Sequence, residues 1–221
     1  MKKVVIIGAG GFGREVLDVI EACNQIDERY EPLGFIVDSR FGAPGTMVND
    51  KPILGGFDWL EKHVGEVYVT CAVGASHLRY QLIQRAMKIN CHFINLIHPS
   101  VIMTRRISMG EGVVITPACV LTNQIQIGNH VHIHSDCTIA HDVHLQDFVT
   151  VSPGVHLCGN VKVGTGSYIG TGTATVEKIQ IGEWSVIGAG SVITKDIPAN
   201  ATVVGVPGKV IKENEAGWYL K

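Results

Sequence analysis

The segment NHVHIHSDCTIAHDVHLQDF, residues 129–148, holds five histidines: His130, His132, His134, His141 and His144. Imidazoles this dense suit two kinds of chemistry, metal ligation or proton transfer by a neutral base. One member has an acidic neighbour. Asp142 follows His141, and a carboxylate beside an imidazole can orient the ring and raise its basicity. A second chemical signature opens the chain. In MKKVVIIGAGGFGREVLDVIEA, Gly8, Gly10 and Gly13 form G-x-G-x-x-G after an apolar strand and at the start of a helix. Loop amides around Gly10, Gly11 and Gly13 suit a diphosphate there, and Arg14 in the first helical turn could add charge. Asp38, at the end of the second predicted strand, stands where an acid that contacts a ribose is expected.

Two different grammars must position these groups. Residues 1–98 read as a small Rossmann-like α/β domain. Strands are expected at VVIIG, PLGFIVD, EVYVTCAVG and, briefly, HFINLIH. Helices are expected at FGREVLDVIEAC, around FDWLEKHV, and at HLRYQLIQRAMKIN. Val16, Leu17, Ile20 and Cys23 share a face of the first helix, and the Gly/Pro-rich RFGAPGTMVNDKPILGG reads as a connection. The alternation implies a parallel sheet of three or four strands, with the glycine loop at the carboxyl end of the first.

From residue 99 to 221 the period becomes six. Every sixth residue from Met103 to Ile193 is aliphatic or Met except Thr175, sixteen positions without an insertion. Two places before each sits a second small or branched residue, from Val101 to Ser191. A short fixed period marks a β-solenoid, whose units bury their faces only by stacking.

Composition narrows the function. A net charge of −2 and a pI near 6.5 leave no basic excess for nucleic acid. The early apolar run VVII is too short for a membrane span or a signal peptide, so a cytoplasmic location is expected. The six cysteines contain no C-x-x-C and read as buried small hydrophobes rather than as a disulfide framework.

The repeat resembles the hexapeptide family, whose left-handed parallel β-helix takes three hexads per triangular coil. The closing phrase IGAGSVITKDIPANATVVGVPGKVIK is similar to that family's end segment, with Gly208 replacing the usual Ala. GAGGFG, the HPS at residues 98–100 and AHDV together resemble the bacterial sugar acetyltransferases of the PglD/NeuD type over nearly the whole chain. The resemblance implies acetyl transfer from acetyl-CoA to a nucleotide-linked amino sugar, most simply a UDP-4-amino sugar, in a homotrimer with active sites between subunits. Sugar O-acetylation on the same scaffold, as on sialic acid, stays open.

With three hexads to a coil, Gly159 stands above His141, leaving a gap in which a ligand could lie beside the imidazole. No two histidines stack, and no metal is expected. The resemblance makes His141 the general base and Asp142 its tuning acid. It implies that Gly159, Tyr168 and Ala189 line the acetyl-CoA groove, with Lys209 near the nucleotide end of CoA. Thr150 replaces a histidine that many relatives carry beside the thioester, and its hydroxyl could donate to the carbonyl oxygen. His134 stands where relatives often have asparagine, and Phe12 where many have histidine. For the acceptor, the resemblance implies Gly8, Gly10, Gly11, Phe12, Gly13, Arg14, Asp38, Ser39, Gly55 and Gly74, with His134 near the sugar.

Two readings from other classes compete. GAGGFG with Asp38 could serve a nicotinamide-dependent oxidoreductase, although the second mononucleotide-binding half is missing. A non-catalytic trimeric scaffold would leave His141 dispensable.

Overall fold

Val4, Val5, Ile6 and Ile7 are all buried because β1 (Lys2–Ile7) runs through the middle of a sheet covered on both sides. The computed structural model describes residues 1–220. The other strands of that sheet are β2 (Tyr30–Ile36), β3 (Met47–Val48), β4 (Lys51–Gly55), β5 (Tyr68–Cys71) and β6 (His92–Phe93). Their order is β3-β4-β2-β1-β5-β6. On one side, Val16, Leu17 and Ile20 of α1 (Gly11–Ile26) pack against Val4, Ile6 and Phe35. On the other, Leu60 of α2 (Phe57–Lys62) and Ile83 and Ala86 of α3 (Ser76–Lys88) meet Val5, Ile7 and Val69.

The sheet has six strands, more than the three or four expected, because RFGAPGTMVNDKPILGG is not a mere connection. It contains the antiparallel hairpin of β3 and β4, and β4 joins β2 in parallel. The turn is Asn49-Asp50, both at positive φ (42° and 61°), which matches the twist of a two-residue hairpin. Strands this short show no period of two, so the alternation rule passes over them.

HFINLIH is likewise two strands rather than one. β6 ends the α/β sheet, and Leu96–Ile97 already pairs in parallel with Val114–Ile115. The solenoid therefore begins at Leu96, ahead of the 98/99 boundary read from the repeat.

Its two-residue rungs form three ladders, the faces of a triangular prism. The face bearing the α/β domain contains His132–Ile133, Thr150–Val151, Tyr168–Ile169 and Val186–Ile187. The second contains Thr138–Ile139 and His156–Leu157, and the third His144–Leu145 and Lys162–Val163. Inward side chains such as Ile133, Ile139 and Leu145 form one continuous core. At the corners one residue in six adopts left-handed φ, among them His130 (53°), Asp136 (61°), Asp142 (60°) and Phe148 (60°). The exceptional Thr175 has a use: its hydroxyl accepts the Cys158 amide at 3.0 Å, where neighbouring coils use a backbone carbonyl. The last coil ends in Ala201–Val204, which the exposed strand Lys209–Glu213 pairs in antiparallel fashion.

Candidate active site

The glycine loop is shaped for close approach. Gly8 has φ +104°, and a Cβ there would lie 3.0 Å from the Ala72 carbonyl oxygen. A Cβ on Gly13 would strike the Gly8 carbonyl, so this glycine lets α1 seat against the end of β1. Gly10 faces open space. Thus two glycines make the turn and a third leaves room, beside first-turn amides that lack intrahelical partners. Gly11 and Arg14 are exposed at the same rim. Asp38 and Ser39 follow the carboxyl end of β2 and Gly55 ends β4, on the same side of the sheet's end as the glycine loop after β1. The Asp38 carboxylate accepts from the Arg40 amide and guanidinium, both at 3.1 Å. The amide bond first, then the guanidinium, hold it below its ordinary carboxylate pKa.

Phe12 turns its ring onto the solenoid, 5.1 Å from His132 and 4.4 Å from His134 between centroids. It helps to join the domains. The centre of that joint is Arg79, fully buried on α3. Its Nε donates to His130 O (3.0 Å), Nη1 to Val73 O (2.9 Å) and Gly74 O (3.2 Å). Nη2 donates to Phe148 O (2.7 Å), Val149 O (3.2 Å) and Thr150 Oγ1 (2.9 Å). Every acceptor is a neutral oxygen, and burial lowers the guanidinium pKa to about 10.

Thr150 belongs to this clamp, which corrects its expected role beside the thioester. The residue is 1% exposed, and its hydroxyl hydrogen goes to Gly74 O at 2.8 Å. Ser76 Oγ, 3.0 Å away, must then donate to it, alongside Arg79. No hydrogen remains for a thioester oxygen.

Beside the clamp opens a cleft of about 420 Å³, lined by Gly74 and His77 of the α/β domain, by His134, Tyr168 and Val186 of the prism, and by Trp218. Burial first, then the Arg79 charge, push His134 down to about 4, so its imidazole is neutral at physiological pH. His132 is driven well below its usual value by the same two causes. Gly74, His134 and Tyr168 thus come together, Tyr168 on the domain-bearing face of the prism.

His141 lies elsewhere, on the corner between the second and third faces, opposite the domain-bearing face. Its Nδ1 is 2.8 Å from Asp142 Oδ2. With the proton on Nδ1, donated to the carboxylate, Nε2 keeps its lone pair, on a side chain that is 62% exposed. The left-handed φ that turns this corner also swings Asp142 back onto its neighbour. Gly159 does not leave the expected gap: the imidazole itself fills it. A Cβ at 159 would lie 2.6 Å from Cε1 and 2.7 Å from Nε2. The His141 carbonyl accepts from the Asn160 amide at 2.9 Å, so both the ring and the main chain rest on the next coil.

The residues expected along acetyl-CoA therefore divide. Gly159 is at the His141 corner, whereas Tyr168 is on the domain-bearing face and Ala189 and Lys209 are exposed at its edge. Sequence reasoning missed Arg79, His77 and Trp218. Arg79 shares a helix face with Ile83 and Ala86, at i, i+4 and i+7, and that buried-face spacing was a usable signal. Trp218 has none, because only the folded tail returns it to the cleft. Among the described residues no cluster of three or more His, Cys, Asp or Glu side chains is arranged to hold a metal ion. None of the described helices is long and apolar enough to cross a membrane.

Residues 3–86 match the family described as the PglD N-terminal domain. Over 125 residues, 52% of the chain, the sequence is 34% identical to UDP-N-acetylbacillosamine N-acetyltransferase of Bacillus subtilis strain 168. The chain spans about half of that relative's length, 51%. The acetyltransferase domain of PglB from Neisseria gonorrhoeae FA1090 is 32% identical with a TM-score of 0.87, over 96% of this chain and 100% of that one. PerB from Caulobacter crescentus, solved with CoA and GDP-perosamine, is 27% identical with a TM-score of 0.87, over 96% and 98%. An α/β domain followed by an uninterrupted hexad prism extends over nearly the whole length of the two solved structures, and the chain belongs to the PglD-type sugar acetyltransferases of the left-handed β-helix family.

Proposed function

We propose that this chain acetylates the amine of a nucleotide-linked sugar, most simply a UDP-4-amino sugar, in bacterial glycan biosynthesis in the cytoplasm. Residues 1–98 would hold the acceptor's nucleotide and residues 99–221 would carry out the transfer. The observation that carries this reading is the pairing of His141 with Asp142 at a solvent-facing corner of the prism. His141 Nε2 takes a proton from the sugar ammonium, and the freed nitrogen attacks the thioester carbonyl carbon. The tetrahedral adduct collapses with loss of the CoA thiolate, which takes the proton held by His141 to become the thiol, while the nitrogen releases its second proton to solvent and leaves as the neutral amide. No covalent enzyme intermediate is needed.

The cradle and the base lie on opposite sides of one prism, which favours a homotrimer whose sites form between subunits. One chain would supply His141, Asp142 and Gly159. Its neighbour would supply the acceptor crevice, with Gly8, Gly10, Gly11, Gly13, Arg14, Asp38, Ser39, Gly55, Gly74 and His134. The division of Gly159 from Tyr168, Ala189 and Lys209 fits acetyl-CoA in a groove between two prisms.

The test is a panel of UDP-4-amino sugars, a GDP-linked amino sugar and free sialic acid, each with acetyl-CoA and read by thiol release. Turnover on an amino sugar, abolished in His141→Ala with the trimer intact, is expected. Turnover on sialic acid alone, or a fully active His141→Ala, overturns the proposal.

A further inference from the structure

The α/β cradle and the cleft behind it are continuous. Gly8 abuts Ala72 and Val73, next in the chain to Gly74, and Phe12 touches His134. Gly74 and His134 both line the cleft. The glycine loop thus has a space of about 420 Å³ on its Gly74 side. That volume lies near the lower end of ligand pockets, about 300–1,000 Å³. It has room for one sugar ring.

The outer wall comes from the far end of the chain. Residues after the terminal hairpin run back to α3: Asn214 Nδ2 donates to Asn200 O (3.1 Å), and Gln81 Nε2 donates to Tyr219 O (3.2 Å). Tyr219 stacks on Trp184 at 3.6 Å between centroids and 7° between planes, and meets Tyr80 edge-on at 5.9 Å. These contacts fix Trp218. Its indole N–H donates to Trp184 O at 3.3 Å, and its ring meets His77 at 5.6 Å. With the polar edge satisfied inside the protein, the remaining ring surface borders the cleft. An aromatic face covers the C–H face of a pyranose well, because its π-cloud is the negative side of the ring quadrupole.

Resting on the acceptor reading above, we propose that Trp218 is a specificity-determining wall of the acceptor site, packing against the sugar ring and not against the nucleotide. The C-terminal tail is then part of the acceptor site.

Calorimetry with UDP and with a UDP-4-amino sugar, on the wild-type protein, Trp218→Ala and Trp218→Phe, tests this. The same three proteins are compared for KM towards acceptor and acetyl-CoA and for melting temperature. Trp218→Ala is expected to weaken nucleotide-sugar binding and raise acceptor KM about tenfold, leaving UDP affinity and acetyl-CoA KM unchanged. Trp218→Phe keeps an aromatic face and restores most of the loss. Unchanged sugar affinity in Trp218→Ala overturns the proposal, as does parallel weakening of UDP, acetyl-CoA and thermal stability, the mark of a purely structural tail. A wild-type protein that binds no nucleotide sugar overturns the acceptor reading itself, and this proposal with it.

Discussion

The His141 imidazole lies flat against Gly159 of the next coil, where a Cβ would stand 2.6 Å from its Cε1. The glycine is a floor for the ring. Gly159→Ala must therefore push the imidazole off its seat and strain its bond to Asp142. Displacement of a reacting group by about 1 Å can cost about 10²-fold in rate. Gly159→Ala is expected to lose activity on that order while its melting temperature shifts little, since the imidazole can swing into solvent. Full kcat in this variant would show that the ring's seat does not matter.

Arg79 gives a stability prediction. Its removal takes a donor from six oxygens across the domain joint, of which Gly74 O keeps the Thr150 hydroxyl and Val149 O the His132 amide. Each buried neutral acceptor left without a partner costs about 1–3 kcal/mol. Arg79→Ala should show that loss in urea denaturation, with a raised acceptor KM because the Val73–Gly74 segment loses the guanidinium that ties it to α3. Arg79→Lys should recover little, as one ammonium cannot reach carbonyls spread around a planar fork. A melting curve unchanged in Arg79→Ala would contradict the clamp.

The joint also sets a pH dependence. Burial and Arg79 hold His130 and His134 at about 4, against 6.5 for a free imidazole. Between those values the unfolded chain binds more protons than the folded one, so stability must fall as pH drops from about 6.5 towards 4. Asp147 opposes the shift at His130. A melting-temperature profile should decline across this window and decline less steeply in His134→Asn, since His130 and His132 remain depressed; a flat wild-type profile would refute it.

Nucleotide preference separates the glycine loop's two possible uses. A ligand that binds only the folded state raises the melting temperature. UDP is expected to stabilise the protein by several degrees at millimolar concentration and NAD to leave it unchanged. Stabilisation by NAD alone would return the loop to redox chemistry.

Much of this was legible before folding. The hexads set the rungs one for one, because every buried face of a solenoid repeats with the coil. The glycine fingerprint located the tight turn between β1 and α1, and AHDV the paired imidazole and carboxylate. What escaped depends on contacts between remote segments. Thr150 reads as a free hydroxyl until Arg79, 71 residues away, comes to rest beside it. The coil arithmetic that sets Gly159 above His141 carries no information on where the imidazole itself lies, and the ring fills the space. The β3–β4 hairpin is too brief to show a period, and Trp218 reaches the cleft only through the stack of Tyr219 on Trp184.

The antiparallel strand Lys209–Glu213 has a consequence beyond its own bonds. A prism of identical parallel rungs is a screw thread with no inherent end, and its last coil could template the first coil of another molecule. This strand reverses the chain direction, is exposed at all five positions, and sets Lys209, Lys212 and Glu213 along the rim. Reversed polarity and charged rims are how open β edges are kept from annealing end to end. The hairpin thus works as a stopper, keeping a fibre-like architecture discrete and dispersed.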